Sequence, residues 1–322
     1  VIYIFTEYFQ KAGLGHFRRC SALADLFREK NFSVELIIDS DVADFLDTNV
    51  SFYNWTSKGI KDWLNKRPQV IIIDSYQASL AIYEQVIATG IRLICIDDFN
   101  RLTYPKSAII YNGGLGGTIY NYRSRYSKVI DGPEYVLLRK PFCVNLQKPN
   151  IPEKIRTILI SMGGSDPKNT TQRILLILDR YFPEIDKEVI VGPAFEEAHL
   201  NTSRENTRTI FHKNLGAEEI KNLMQSAHLC ISAGGQTTYE LARLGIPMVL
   251  IKTAENQIGN LIGFQKLGII DEYLNADDDQ FEIKLKNAVS FASSFEFRIR
   301  MSQILQETFI DHSSKIVEAI LG

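Results

Sequence analysis

The sequence predicts an α/β protein made of two parallel-sheet domains, and three observations carry that reading. Apolar, β-branched runs alternate with amphipathic helical patterns along the 322 residues. The strand runs, Val70-Ile-Ile-Ile73 being the clearest, are apolar without alternation, as strands covered on both faces are. Three predicted strand ends turn through glycines into helices, which is the edge where open α/β sheets bind ligands.

In the first half, strands are expected near Ile2–Phe5, Ser33–Ile38, Val70–Ile73 and Arg92–Ile96. Helices are expected near His16–Glu29, with apolar Phe17, Cys20, Leu23, Ala24 and Phe27 on one face, near Lys58–Asn65 and near Ser79–Ala88. Glycines 113, 114, 116 and 117 follow Ile109-Ile110, and the composition leaves open whether they approach a ligand or form a mobile connector. The polar stretch Asn145–Pro152 reads as a linker, dividing the chain into domains 1–145 and 146–322. In the second half, strands are expected near Thr157–Ile160, Glu188–Val191, Thr209–Phe211, Leu229–Ile231 and Met248–Ile251. Helices near Asn169–Arg180, Ala217–Ser226, Gln236–Leu244 and Asn256–Lys266 alternate with them.

Composition narrows the function classes. Hydrophobic residues make up 45% and charged residues 23%, and the net charge of −2 exerts no general pull toward nucleic acid. No apolar run approaches membrane-spanning length, and Val1–Phe5 reads as a strand instead of a signal peptide, so a cytoplasmic protein is expected. Cys20, Cys95, Cys143 and Cys230 are widely spaced and mostly in apolar segments, which favours reduced thiols over disulfides or a zinc site. His199, His212, His228 and His312 lack metal-ligand spacing, and the Asp97-Asp98 pair is expected in capping or a buried hydrogen-bond network; no metal is expected.

The glycine junctions suggest what the edge holds. Ser232-Ala-Gly-Gly235 runs from a short buried strand into a helix from Gln236, and the unpaired N–H groups of a helix start, at the positive end of its dipole, suit a phosphate. Met162-Gly-Gly-Ser165 follows a second strand, where Ser165 or Asp166 can cap a helix and Pro167 fits its first turn. Gly13-Leu-Gly15 precedes the helix of His16. Each junction also has a plainer reading as a tight turn or a packing contact.

Two Rossmann-like halves with an interdomain cleft suggest the GT-B arrangement. The segments Gly13–Cys20, Ile73-Asp-Ser-Tyr76, Ile96-Asp-Asp98, Gly132–Arg139, Met162–Asp166, Ser232–Gly235 and Glu255-Asn-Gln257, taken in order, resemble the UDP-sugar hydrolase family of pseudaminic acid biosynthesis. The resemblance covers most of the chain, and includes a C-terminal region, Arg298–Ser302 and Ile310–His312, that in this family resembles a helix returning toward the N-terminal domain. It implies hydrolysis of UDP-2,4-diacetamido-2,4,6-trideoxy-β-L-altropyranose to the free sugar and UDP, with no cofactor. His16 falls on the family's Gly-x-Gly-His histidine and is the candidate general base; a helix-start histidine can also simply bond the glycine turn or bind phosphate.

Gly13, Gly15, Arg19, Asp74 and Tyr76 are the candidate substrate residues of the first half. Those of the second are Met162, Gly163, Ser165, Ser232, Ala233, Gly234, Gly235, Gln236, Thr237, Glu240, Asn256 and Gln257. Among these, Thr237, with its neighbour Thr238, is expected to donate to the diphosphate, and Glu240, one turn into its helix, to accept the ribose hydroxyls. The plainer alternative for Glu240 is dipole compensation, and for Asn256 and Gln257 helix capping.

The chain departs from the family in two places. Phe5-Thr-Glu-Tyr-Phe9 stands where the family carries an Arg and an Asp, and Ser75 stands where a histidine can follow Asp74. A GT-B glycosyltransferase using a UDP- or CMP-activated donor is therefore the alternative reading, and a non-enzymatic nucleotide-sugar binder a third.

Overall fold

The computed structural model describes residues 1–9, 15–41, 50–144, 146–195 and 208–322. The chain divides into two compact units, Val1–Arg139 with His312–Gly322, and Lys140–Asp311. The division thus falls at Arg139/Lys140 and not at 145/146, and the last eleven residues belong to the first unit. Asn145, the first residue of the expected linker, lies outside the described residues.

The first unit holds strands β1 (Ile2–Tyr8), β2 (Val34–Ser40), β3 (Val50–Phe52), β4 (Val70–Asp74), β5 (Arg92–Ile96), β6 (Ile109–Asn112) and β7 (Val129–Asp131). They form one sheet in the order β3-β2-β1-β4-β5-β6-β7, with every neighbouring pair parallel. Alternation along each central strand explains why the runs are continuously apolar. Ile2, Ile4 and Ile72 face one side, where Cys20, Leu23, Ala24 and Phe27 of helix α1 (Gly15–Glu29) cover them. Tyr3, Phe5, Ile71 and Ile73 face the other, against Trp55 of α2 (Trp55–Lys58), Leu64 of α3 (Lys61–Asn65), and Ile82, Tyr83 and Val86 of α4 (Leu80–Ala88). The single helix expected near Lys58–Asn65 is two short ones, parted at Gly59, whose φ of 79° a side-chain-bearing residue rarely adopts.

The C-terminal helix Ser313–Leu321 seals the first face with Ile316, Val317 and Ile320. At nine residues it would be marginal alone, but burying these side chains contributes about 1.5–3 kcal/mol each. Arg92 ties down its end by donating from Nη1 to the carbonyls of Ile320 and Leu321. In the glycine-rich stretch after β6, two glycines are closely packed. A Cβ on Gly113 would lie 2.0 Å from the Tyr135 carbonyl oxygen, and one on Gly117 2.5 Å from Asp131 Cβ, so close packing against neighbouring backbone and side chains requires these glycines.

The second unit repeats the plan. Strands β8 (Thr157–Ser161), β9 (Asp186–Val191), β10 (Thr209–Lys213), β11 (Leu229–Ala233), β12 (Met248–Lys252) and β13 (Leu274–Asn275) pair in parallel in the order β10-β9-β8-β11-β12-β13. Helices α5 (Thr170–Tyr181), α6 (Ala217–Ser226), α7 (Thr237–Leu244), α8 (Ile258–Lys266), α9 (Phe281–Ala292) and α10 (Phe295–Thr308) complete it. On one face, Ile174, Leu178, Leu285 and Val289 pack with Ile158, Ile160 and Ile231. Among the described residues no helix is long and apolar enough to cross a membrane.

Candidate functional site

Both sheets read 3-2-1-4-5-6 from their first edge, so in each the order reverses beside the first strand of the unit. The reversal falls between β1 and β4 in the first unit and between β8 and β11 in the second, and the chain leaving these strands forms the crevice where doubly wound sheets take ligands. His16 follows β1, Asp74 is the last residue of β4, and Tyr76 follows it. Met162–Ser165 follow β8, and Gly234–Thr237 follow β11.

The centre of the first unit is built on Asp74, which is fully buried. His16 is the second residue of α1, and Arg19 and Cys20 lie three and four residues on, a spacing that puts all three on one helical face. That face meets Asp74. His16 Nδ1 lies 2.6 Å from Asp74 Oδ1, while Arg19 donates from Nε to Oδ2 and from Nη2 to Oδ1, each at 2.6 Å. The Cys20 thiol donates to Oδ2 at 3.4 Å. Arg19 Nη1 reaches on to Asp98 Oδ1 at 2.5 Å, and Asp98 Oδ2 accepts from the Tyr76 hydroxyl at 2.6 Å. The Tyr76 ring stands edge-on to the His16 imidazole with centroids 4.1 Å apart.

The electrostatics follow from these contacts. Burial works against the charged form of Asp74, but Arg19 and then His16 outweigh it, holding the carboxyl well below its ordinary 3.8. For His16, burial again opposes the charge and is outweighed, here by the attraction and hydrogen bond of Asp74, so its pKa lies above 6.5. Cys20 is pushed well above 9.0 by burial and then by Asp74, and remains a thiol. An ionised Asp74 fixes the imidazole tautomer with the proton on Nδ1, leaving Nε2 as the proton acceptor.

Two expectations for this half change. Asp74, expected at the sugar, is fully buried with both oxygens occupied by His16 and Arg19. Arg19, expected at the substrate, spans the two carboxylates. Gly15 is exposed, with nothing within 4 Å of where a Cβ would stand, whereas Gly13 lies outside the described residues, as does His199. The Asp97-Asp98 pair splits between opposite sides: Asp97 accepts the N–H groups of Phe99 and Arg101, and Asp98 joins Arg19 and Tyr76. Among the described residues no group of three or more His, Cys, Asp or Glu side chains is arranged to hold a metal.

In the second unit the edge is sorted by packing. Ser232 is fully buried and donates its hydroxyl to the Ala233 carbonyl at 3.0 Å, and Met162 and Ala233 sit in the core. A Cβ on Gly234 would stand 2.6 Å from Leu261 Cδ2, which makes glycine a packing requirement there. Gly235 has open space above it, and Gln236 and Thr237, part-exposed, begin α7. The Thr238 hydroxyl donates to the Gly235 carbonyl at 2.6 Å and is buried, so it shapes the turn. Glu240 lies one turn into α7 and is buried. Gly163 has φ of 87°, and Ser165 is part-exposed beyond it, while Asp166 takes the cap, accepting the N–H groups of Thr170 and Thr171 at 2.9 and 2.6 Å. Pro167 thus precedes α5 instead of lying in its first turn. Gln257 caps, its Oε1 accepting from the Thr253 N–H at 2.9 Å, whereas Asn256 beside it is part-exposed.

Two Rossmann-like parallel-sheet units, each with one reversal of strand order, place the chain in the GT-B fold class. Solved structures share the fold. The spinosyn rhamnosyltransferase SpnG complexed with thymidine diphosphate superposes with a TM-score of 0.68 at 12% identity over 100% of both chains. UGT89C1 of Arabidopsis thaliana complexed with UDP gives 0.70 at 11%, over 99% of this chain and 98% of that one.

No family model matches the chain. Among curated proteins it is 29% identical to an uncharacterised protein of Methanocaldococcus jannaschii, over 80% of this chain and 56% of that protein. It is 22% identical to the spore coat polysaccharide biosynthesis protein SpsG of Bacillus subtilis, over 82% of this chain and 81% of that one. The third relative is a Helicobacter pylori pseudaminic acid cytidylyltransferase and UDP-2,4-diacetamido-2,4,6-trideoxy-β-L-altropyranose hydrolase, at 25% identity over 94% of this chain and 54% of that protein. The chain therefore spans about half the length of two of these three relatives.

Proposed function

We propose that the chain hydrolyses a UDP-activated diacetamido-trideoxyhexose, with His16 taking a proton from the water that attacks the anomeric carbon as UDP leaves. The observation that carries this reading is the His16–Asp74 pair at the strand reversal of the first unit, with Asp74 fully buried and His16 Nδ1 at 2.6 Å from it. A sugar diphosphate carries its own leaving group, so one oriented base and an anion site suffice for the chemistry. The anion site is assigned to Gly235, Gln236 and Thr237 at the start of α7, and ribose recognition to Glu240. The Helicobacter pylori relative, whose name includes this hydrolysis, supports the substrate.

A glycosyltransferase with the same base and a sugar or protein hydroxyl in place of water is the second reading. It is favoured by the structural likeness to the spinosyn rhamnosyltransferase. The two separate in one experiment: incubation with the UDP-sugar alone is expected to release UDP and free sugar in equal amounts. Release only after a hydroxyl acceptor is added would overturn hydrolysis in favour of transfer.

Replacing Glu240 with alanine tests the nucleotide site apart from the chemistry. Loss of hydrogen bonds to a charged acceptor is worth about 1.5–3 kcal/mol, or roughly one to two decades of affinity, so UDP should weaken by that much while inorganic diphosphate is nearly unaffected. Calorimetric titration of both ligands decides; equal weakening would make Glu240 a structural residue of α7.

A further inference from the structure

Glu7 is the penultimate residue of β1, on the strand beside that of Asp74, and is 1% exposed. Its carboxylate is spent on a single short segment. Oε2 accepts the Ser75 hydroxyl and Oε1 accepts the Tyr76 backbone N–H at 2.8 Å. Ser75 Oγ in turn accepts the N–H groups of Gln77 and Ala78 at 3.0 and 2.9 Å. Both acceptor positions of that hydroxyl are therefore occupied, and its proton is committed to Glu7. The turn leaving β4 hangs on a side chain from β1.

That turn carries Tyr76. Its ring stands edge-on to His16 at 4.1 Å on one side and to Phe99 at 5.1 Å on the other, and its hydroxyl donates to Asp98, the carboxylate that shares Arg19 with Asp74. Ser75 is the position where the sequence departs from the family pattern after Asp74, and Glu7 lies in the other departing stretch, Phe5–Phe9. The two departures are thus bonded to each other, and the side chain they fix in place is the one that packs on the base.

We infer that Glu7 is a positioning residue of the His16 centre: through Ser75 and the Tyr76 backbone it sets the Tyr76 ring against the imidazole. This deepens the proposed function and rests on His16 being the proton acceptor. A carboxylate that merely joined two strand ends would affect stability and leave His16 alone.

The test is Glu7→Gln, alone and in a Tyr76→Ala background. The glutamine keeps the shape but puts an NH2 group in place of one of the two oxygens that accept these donors, so one of the two bonds is lost. Small misplacements of catalytic groups cost up to about a hundredfold, and Glu7→Gln is expected to lower kcat for UDP release about ten- to a hundredfold with KM little changed. The second readout is the His16 imidazole titration followed by NMR in the ligand-free protein, which needs no activity. Its midpoint should move on Glu7→Gln in the otherwise unaltered protein and stay put when Tyr76 is already alanine, the non-additivity expected of residues acting through one another. An unmoved midpoint, or an equal movement in both backgrounds, overturns the inference. A protein that releases no UDP from any sugar overturns the proposed reaction and leaves the titration arm to decide this one. If Glu7→Gln does not fold, Ser75→Ala, which removes only the hydroxyl, is read by the same two measurements.

Discussion

His16→Ala is expected to lower the rate of UDP release by roughly 10²–10⁴, the usual loss on removing a general base, while UDP binds as before. The separation follows from the architecture: His16 belongs to the first unit, and the residues assigned to the nucleotide, Gly235 to Glu240, belong to the second. The pH profile gives an independent check. A base must be unprotonated to act, and the Asp74 carboxylate holds the His16 pKa above 6.5, so kcat/KM should fall on the acid side from a midpoint above that value. Near-normal turnover in the folded alanine variant would remove His16 from the chemistry, and a profile without that limb would remove it as the titrating group.

Asp74→Asn should be the most damaging conservative change in the first unit. The carboxylate accepts two bonds from Arg19 and pairs with His16, all in a buried setting. Breaking a buried ion pair by neutralising one partner typically destabilises by about 3–5 kcal/mol, because the other charge stays behind. The sign of the pH dependence is fixed. Because the folded state holds the Asp74 pKa below 3.8, its contribution is present above that pH and is lost as pH falls through the lower folded value. The part from His16 has the opposite sense, present below 6.5 and lost as pH rises through the raised folded value. Chemical denaturation of both proteins across pH should therefore show the largest gap between about 4 and 6.5 and a shrinking gap in stronger acid. A gap independent of pH would mean that packing, not charge, is what Asp74 supplies.

The central strands were legible because a strand covered on both faces must be apolar at every position, as Val70–Ile73 is. Edge strands carry no such mark: β3 is three part-buried or exposed residues, and β13 is two. The glycine junctions announced the ligand edge, yet they could not say which glycines serve packing. Only the contact with Leu261 separates Gly234 from Gly235. His16 was visible through its motif, whereas its partner lies 58 residues away and becomes a partner only when β1 and β4 are neighbours. Glu7 left its trace in the stretch Phe5–Phe9 that departs from the family pattern, where an acid follows an apolar run. Gln257 kept two local readings with equal chemistry, and the hydrogen bond from Thr253 favours the cap.

The return of residues 312–322 to the first unit sets an order of events during synthesis. Ile316, Val317 and Ile320 close a face of the first sheet, but they are translated after every residue of the second unit. Every residue of the second unit is therefore added while the first still exposes the strip that those three side chains cover. Until then the nascent chain has an apolar surface of the kind chaperones bind, and a ribosome stalled just short of residue 312 would display it permanently.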